Sequence, residues 1–255
     1  MDLIKKILDK KYSLVIVSPH QDDAVLSCST LLAELTGKTD ITVVNVFTKA
    51  HKKPYTLSAK QFLKYSKAID GAENLYKERA KEDKEVLSKL AITPIDLGFE
   101  DALFRRKKKG TFLGKFLPEF DHVYPTYRWH IVKGIAKDDY TIKSLKKKLL
   151  PFKNKKTVVL APYGIGNHVD HRVVRKVCEE LFDNLLLYSD FPYNVDIHTI
   201  PGVLSDSKMY KLKPDIKKKS KLLSLYKTQF LGLFPKGKVP SHEEVFYLKG
   251  NLLKI

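Results

Sequence analysis

Only two cysteines occur among the 255 residues, Cys28 and Cys178, each isolated in an apolar setting. Their spacing excludes a disulfide framework and a Cys-x-x-Cys zinc site, and predicts two reduced, buried thiols. Long hydrophobic runs are also lacking: stretches such as Leu14 to Val17 fall far short of the roughly 18 residues that a bilayer span requires. Residues Met1 to Lys11 carry neither an apolar h-region nor a small-residue cleavage site, so no signal peptide is predicted and the expected location is cytoplasmic. No fixed-period repeat and no long polar linker divides the chain. A single domain over residues 1–255 is therefore expected, large enough to bury a core without staples. Acidic residues are in deficit, 29 Asp+Glu against 47 Lys+Arg, which leaves a formal charge of +18. The excess is concentrated in Arg105 to Lys109, Lys146 to Lys148, Lys153 to Lys156 and Lys217 to Lys219. Such runs suit nucleic acid, an anionic membrane or a phosphorylated substrate, and equally a solvated surface.

What is present is a succession of short apolar strands and amphipathic helices. Tyr12 to Val17 and Ile41 to Phe47 are β-branched runs without clean alternation, as expected for strands covered on both faces. Helix-compatible spacing from Ala24 to Leu35, stopped by Gly37, joins them into a βαβ unit. A lysine-rich loop from His51 to Tyr65, a long charged helix over Lys67 to Leu90 and a strand at Pro94 to Leu97 repeat the unit. Residues 105–130 lack periodicity and read as a long excursion near a site. A strand at Lys156 to Ala161, a helix at Val169 to Phe182, a strand at Leu185 to Tyr188 and a tail with a helix near Ile216 to Lys227 follow. The predicted architecture is α/β: a single Rossmann-like domain with a mostly parallel, doubly wound sheet, whose ligands bind beyond the carboxyl ends of the strands.

Two loops at such ends carry chemistry. The first, after Val17, holds His20, Asp22 and Asp23 and no glycine. Two acids there would repel a phosphate but suit a divalent cation, and the spacing of His20 and Asp23 lets a tight turn aim both at one ion. The second, after Ala161, holds His168, Asp170 and His171, with the two histidines on one side of a first helical turn. Gly164-x-Gly166 in the same loop admits a dinucleotide-binding alternative, but Val169 replaces the third glycine and the loop's His and Asp crowd the phosphate position. A basic nucleic-acid-binding module is a second alternative. No helix-turn-helix, zinc-finger or RNP-like pattern supports it, and no nucleic acid is expected as partner. His51, His122, His130, His198 and His242 show no partner pattern.

Ser18-Pro19-His20-Gln21-Asp22-Asp23-Ala24-Val25-Leu26-Ser27 resembles the signature of the PIG-L/LmbE-like de-N-acetylases, in which a PHxDD loop is paired with a later HxDH element. Arg79-x-x-Glu82-Asp83, Leu97 to Ala102 with Arg105, and Tyr188 to Tyr193 are similar to that family's intermediate features. Gln21 stands where proline is usual and Ala24 where glutamate is frequent. The resemblance implies a hydrolase that removes an N-acetyl group from an amino-sugar-containing small molecule or glycan precursor, phosphorylated or not. It implies His20, Asp23 and His171 as ligands to Zn²⁺, with Fe²⁺ accepted by the same set. Asp22 is the implied general base, His168 the stabiliser of the oxyanion, more useful protonated, and Asp170 the partner that orients and charges that imidazole. Arg79, Asp101, Asp190 and Tyr193 are the implied substrate contacts, and the Arg105 to Lys109 run suits either a substrate phosphate or solvent.

Overall fold

The structure, a computed structural model, describes residues 3–68, 70–195 and 208–249. His198 lies outside them. Its strands are β1 (Ser13–Ser18), β2 (Ile41–Lys49), β3 (Ile95–Glu100), β4 (Thr157–Pro162), β5 (Leu185–Tyr188), β6 (Met209–Leu212) and β7 (Glu244–Lys249). They form one seven-stranded sheet in the order β3-β2-β1-β4-β5-β7-β6. The first five are parallel, and β7 and β6 extend the sheet in antiparallel pairing.

The central strands are apolar throughout because both faces are covered. Leu14 and Ile16 of β1, with Val158 and Leu160 of β4, point into one core, whereas Val15, Val17, Val159 and Ala161 point into the other. The pleat thus divides each apolar run between two layers. On the first face lie α1 (Leu3–Asp9) and α2 (Asp23–Leu35), which contribute Leu3, Ile7, Leu31 and Leu32. On the second lie α3 (Leu57–Tyr65) and, further along, α5 (Thr141–Leu149) and α6 (Val169–Leu181), while α4 (Ala72–Ser88) sends Leu75 and Tyr76 to one core and Val86 and Leu87 to the other. Two further helices, α7 (Ile216–Leu223) and the short α8 (Phe230–Leu233), follow.

Several elements differ from expectation. The long charged helix begins at Ala72 rather than Lys67, because Gly71, at φ 90°, turns the chain immediately before it. The stretch read as a loop over residues 51–65 contains α3, whose N-cap Thr56 accepts the Ala59 N–H at 3.1 Å. The excursion is built of short 3₁₀ turns and one π-helical turn at Tyr127–Ile131. Cys28 and Cys178 are free and buried as expected, and burial pushes both thiols up, keeping them protonated. No helix among the described residues is long and apolar enough to cross a membrane.

The strand order reverses direction between β1 and β4, the point at which adjacent connections leave to opposite faces and open a crevice beyond the strand ends. The loops holding His20 and His168 leave those two strands.

Candidate metal centre

Ser18, at the end of β1, shapes the first loop: its hydroxyl donates to the His20 carbonyl at 2.7 Å and accepts the Ala24 N–H at 3.0 Å. The chain then turns so tightly that the His20 N–H donates to Asp23 Oδ2 at 2.9 Å, and His20 Nδ1 lies 3.1 Å from the same oxygen. Gln229 clamps the loop from outside, donating to the Gln21 carbonyl at 3.1 Å. Asp22 occupies the N-cap of α2 but makes no side-chain capping bond. Its carboxyl group therefore remains uncommitted at the cleft wall.

The second loop brings His171 from the first turn of α6 to 3.4 Å from Asp23 Oδ2 through Nε2. Its other nitrogen, Nδ1, is 2.6 Å from Asp190 Oδ1. Asp190 Oδ2 accepts the N–H groups of Gly164 and Ile165 at 2.7 and 2.8 Å. A carboxylate fixed by two amides thus fixes the ring of His171 and leaves Nε2 facing Asp23, the arrangement that orients a metal-ligating histidine. The same bonds remove the dinucleotide alternative, since the amides that would cradle a phosphate already serve Asp190. Gly166 has φ +85°, and a Cβ there would come within 3.2 Å of the Tyr193 ring.

Ligand atoms of His20, Asp23 and His171 all lie within 4.8 Å of one another, and so do those of His20, His168 and Asp170. The two sets differ in charge. Asp170 is fully buried, ion-paired with Arg105, 3.2 Å from His20 Nε2, and accepts the Ala102 N–H at 3.0 Å. Its negative charge is already matched by a guanidinium, whereas Asp23 meets two imidazoles and one backbone amide and, among the described residues, is ion-paired with no arginine or lysine. The donor chemistry of two imidazoles and one carboxylate in the first set fits a zinc site with room for water.

Burial and charge act against one another here. Burial lowers the His20 imidazole, but hydrogen bonds and charges of Asp170, Asp23 and Asp101 carry it well above 6.5. His171 is likewise raised against its burial by Asp23 and Asp190. Burial raises Asp23, but His171 and His20 outweigh it and hold the carboxyl at about 2. Asp22 moves the other way, pushed up to about 7 by burial and by the charge of Asp23. Two adjacent carboxyl groups are thereby separated, one ionised and one poised near neutrality.

The expected pairing of Asp170 with His168 is not formed; the Asp170 carboxylate is held by Arg105 and His20 instead. His168 caps α6 by accepting the Asp170 N–H on Nδ1 at 3.3 Å. Burial lowers its pKa to about 4, so the ring is neutral, with its proton on Nε2, rather than protonated as expected. Arg105 also departs from the reading of residues 105–109 as one phosphate-binding or solvated run. It is 5% exposed, bonded to Asp139 at 2.6 Å and to the Glu100 carbonyl, and stacked on Phe47 and Tyr124. Asp190 lies behind His171, 1% exposed, and not in the cleft as a substrate contact.

The remaining expected positions meet in one cleft of about 990 Å³, lined by His20, Asp22, Asp23, Arg79, Asp101, His168 and Tyr193. Asp101 accepts from Tyr76 at 2.6 Å and from the Leu103 N–H at 2.8 Å. Arg79 stacks between Phe62 and Tyr76, and its buried Nε has no hydrogen-bond partner among the described residues. Glu82 and Asp83, by contrast, tie α4 to the segment at 226–228. Among the other histidines, His51 pairs with Glu100 at 2.8 Å and His122 with the Pro118 carbonyl at 2.6 Å, both away from the cleft. Sequence reading missed Phe62, Tyr65, Tyr127 and Lys227 on the cleft wall. Phe62 and Tyr65 lie on α3, which reads as a lysine-rich loop, Tyr127 lies in the aperiodic excursion, and Lys227 follows α7 as one lysine among many.

Comparison with known proteins shows the fold and the family. The fold is similar to that of a teicoplanin deacetylase solved in complex with teicoplanin, at 22% identity, with 92% of this chain and 97% of that chain covered and a TM-score of 0.67. It is similar to the zinc-inhibited form of teicoplanin deacetylase Orf2, at 20% identity with the same coverage and a TM-score of 0.67. It is also similar to N,N'-diacetylchitobiose deacetylase from Pyrococcus horikoshii, at 14% identity, with 96% and 86% covered and a TM-score of 0.52. No curated protein sequence matches significantly. Residues 15–182, from β1 through α6 and including both loops, match the profile of PIG-L, GlcNAc-PI de-N-acetylase, and the chain belongs to that family.

Proposed function

We propose that the chain hydrolyses the N-acetyl group of an amino sugar, with His20, Asp23 and His171 holding Zn²⁺ in a single domain that acts in the cytoplasm. The observation that carries this reading is the convergence of two imidazoles on Asp23, one of them fixed from behind by Asp190. The deacetylases of similar fold act on teicoplanin and diacetylchitobiose, and one is described in a zinc-inhibited form. Zinc bound at these ligands supplies Lewis acidity and lowers the pKa of a water to about 7.

The residues of the chain divide the rest of the work. Asp22 accepts one proton of the attacking water as its oxygen bonds to the acetyl carbon, and delivers that proton to the nitrogen as the C–N bond breaks, releasing acetic acid, which keeps the water's second proton until it ionises, and a free amine. A base needs a pKa near the working pH, which burial beside Asp23 provides. His168 donates from neutral Nε2 to the developing oxyanion, a role in which its depressed pKa keeps the ring from competing for the water's proton. Asp170, neutralised by Arg105, positions His20. Arg79, Asp101 and Tyr193 line the cleft around the sugar, and Arg79 with Lys227 suits a phosphate carried by the substrate.

Amine release from a panel of N-acetylglucosaminyl compounds, plain, apolar-linked and phosphorylated, tests this function. The zinc-loaded chain should release amine from at least one member. Failure on all of them, with zinc bound, would overturn the substrate class.

A further inference from the structure

Five large apolar side chains are exposed within nine residues of the excursion: Phe112, Leu113, Phe116, Leu117 and Phe120. Phe112 and Phe116 are 74% and 72% exposed, and their rings contact each other at 5.8 Å. Scattered exposed apolar residues are ordinary, but a cluster of this size marks an interaction surface. The segment is not loose chain. Asp121 accepts the Thr111 N–H at 2.6 Å, and Glu119 accepts the Leu57 N–H at 2.8 Å, which straps the excursion to the start of α3.

That strap sets the surface beside the cleft mouth. Leu57, 73% exposed, precedes Ser58, which lines the cleft and accepts the Tyr127 N–H at 3.2 Å. Tyr65 and Tyr127, both on the cleft wall, and Trp129 extend the exposed aromatic set.

The charge around it is predominantly positive. Arg106, Lys107, Lys108 and Lys109 precede the cluster and Lys115 sits inside it, against two acids of the same segment, Glu119 and Asp121, the second of which interacts with Arg106; Arg106 and Lys108 also share a small cavity with Glu100 and Asp138. Exposed aromatic side chains flanked by an excess of cations are the chemistry of a surface that enters the headgroup region of an anionic bilayer.

We propose that residues 106–120, with Leu57, Tyr65 and Trp129, form a docking surface for an anionic phospholipid bilayer, which places the cleft mouth at the membrane. The surface stands on exposure and charge alone and is independent of the proposed reaction. Neutral lipid, a second copy of the chain and nucleic acid are the occupants it has to be distinguished from.

The test uses the full chain and its single tryptophan as reporter. Co-sedimentation with phosphatidylcholine vesicles containing phosphatidylglycerol should exceed that with pure phosphatidylcholine, should fall as salt rises, and should be accompanied by a blue shift of Trp129 emission. The double variant Phe112→Ser/Phe116→Ser, whose changes lie on exposed positions, should lower partitioning by about tenfold or more with an unchanged circular dichroism spectrum. Lys108→Glu/Lys109→Glu should remove the preference for anionic lipid. Absence of anionic-vesicle binding, or binding that the phenylalanine variant leaves intact, would overturn the proposal. So would concentration-dependent dimerisation of a vesicle-inert chain that the same variant abolishes, or retention on DNA in place of lipid.

Discussion

The crest of the sheet between β1 and β4 and the excursion at 106–120 stand within one molecule and are built on opposite rules. At the crest almost every polar atom is held: Asp190 by two amides, His171 by Asp190, Asp170 by Arg105. In the excursion, large apolar side chains are left in solvent, and the segment is held by its own short backbone turns and by the side chains of Asp121 and Glu119. The difference separates chemistry, which needs atoms fixed to fractions of an ångström, from recognition of a large or soft partner, which does not. Asp22, whose side chain makes no capping bond, is an exception at the crest, and its freedom is what a proton carrier requires.

The comparison can be broken from either side. Replacing a ligand should have the largest effect: His171→Ala should lose zinc and at least about 10⁴-fold in kcat/KM, measured by metal analysis and amine release. Asp22→Asn should keep zinc and lose about 10²–10⁴-fold in kcat. The acid limb of its pH profile should vanish too. In the metal-free chain Asp22 titrates at about 7, so activity that depends on its ionised form rises with pH, and a neighbouring divalent cation shifts that limb below 7. A profile for Asp22→Asn identical in shape to the parent's would remove Asp22 from the proton path. His168→Ala should cost about 10²–10³-fold with zinc retained.

Smaller effects sharpen the contrast. Asp190→Asn should weaken zinc about 10–100-fold in a chelator competition, because the ring of His171 loses its anionic anchor. Zinc uptake itself should release protons, since His20 and His171 have pKa values above 6.5 without metal and must be neutral to ligate. Apparent affinity then rises with pH, by up to about tenfold per unit for each proton displaced, and calorimetry in buffers of different ionisation enthalpy counts those protons. At the other region, Phe112→Ser/Phe116→Ser should change turnover of a small dissolved substrate by less than about twofold. A large loss there would mean that the excursion belongs to the reaction site.

How much of this was legible in the sequence follows from burial. Strands of the parallel sheet are covered on both faces, so β1, β2, β4 and β5 stand out as apolar runs, and the loops after β1 and β4 were found because His and Asp there are out of place among apolar residues. Helices α3 and α5 were hidden. In α5 only Ile142, Leu145 and Leu149 mark the buried face, and Lys143 and Lys146 to Lys148 fill the rest. The partners of Asp170 and Asp190 were not legible either, because each is chosen by a contact across the fold: Arg105 lies 65 residues from Asp170, inside a run that reads as surface charge. Sequence shows which groups are ionisable, but only the packing shows which charges are already matched.

The metal assignment is the central claim, and zinc binding by two variants tests it most directly. Zinc stoichiometry and affinity should be measured for the parent chain, His168→Ala and His171→Ala, since these variants separate the two ligand sets that share His20. The account predicts one zinc in the parent and in His168→Ala, and none held tightly by His171→Ala. Zinc retained by His171→Ala and lost from His168→Ala would contradict it, and would move the metal to the Asp170 side of the site.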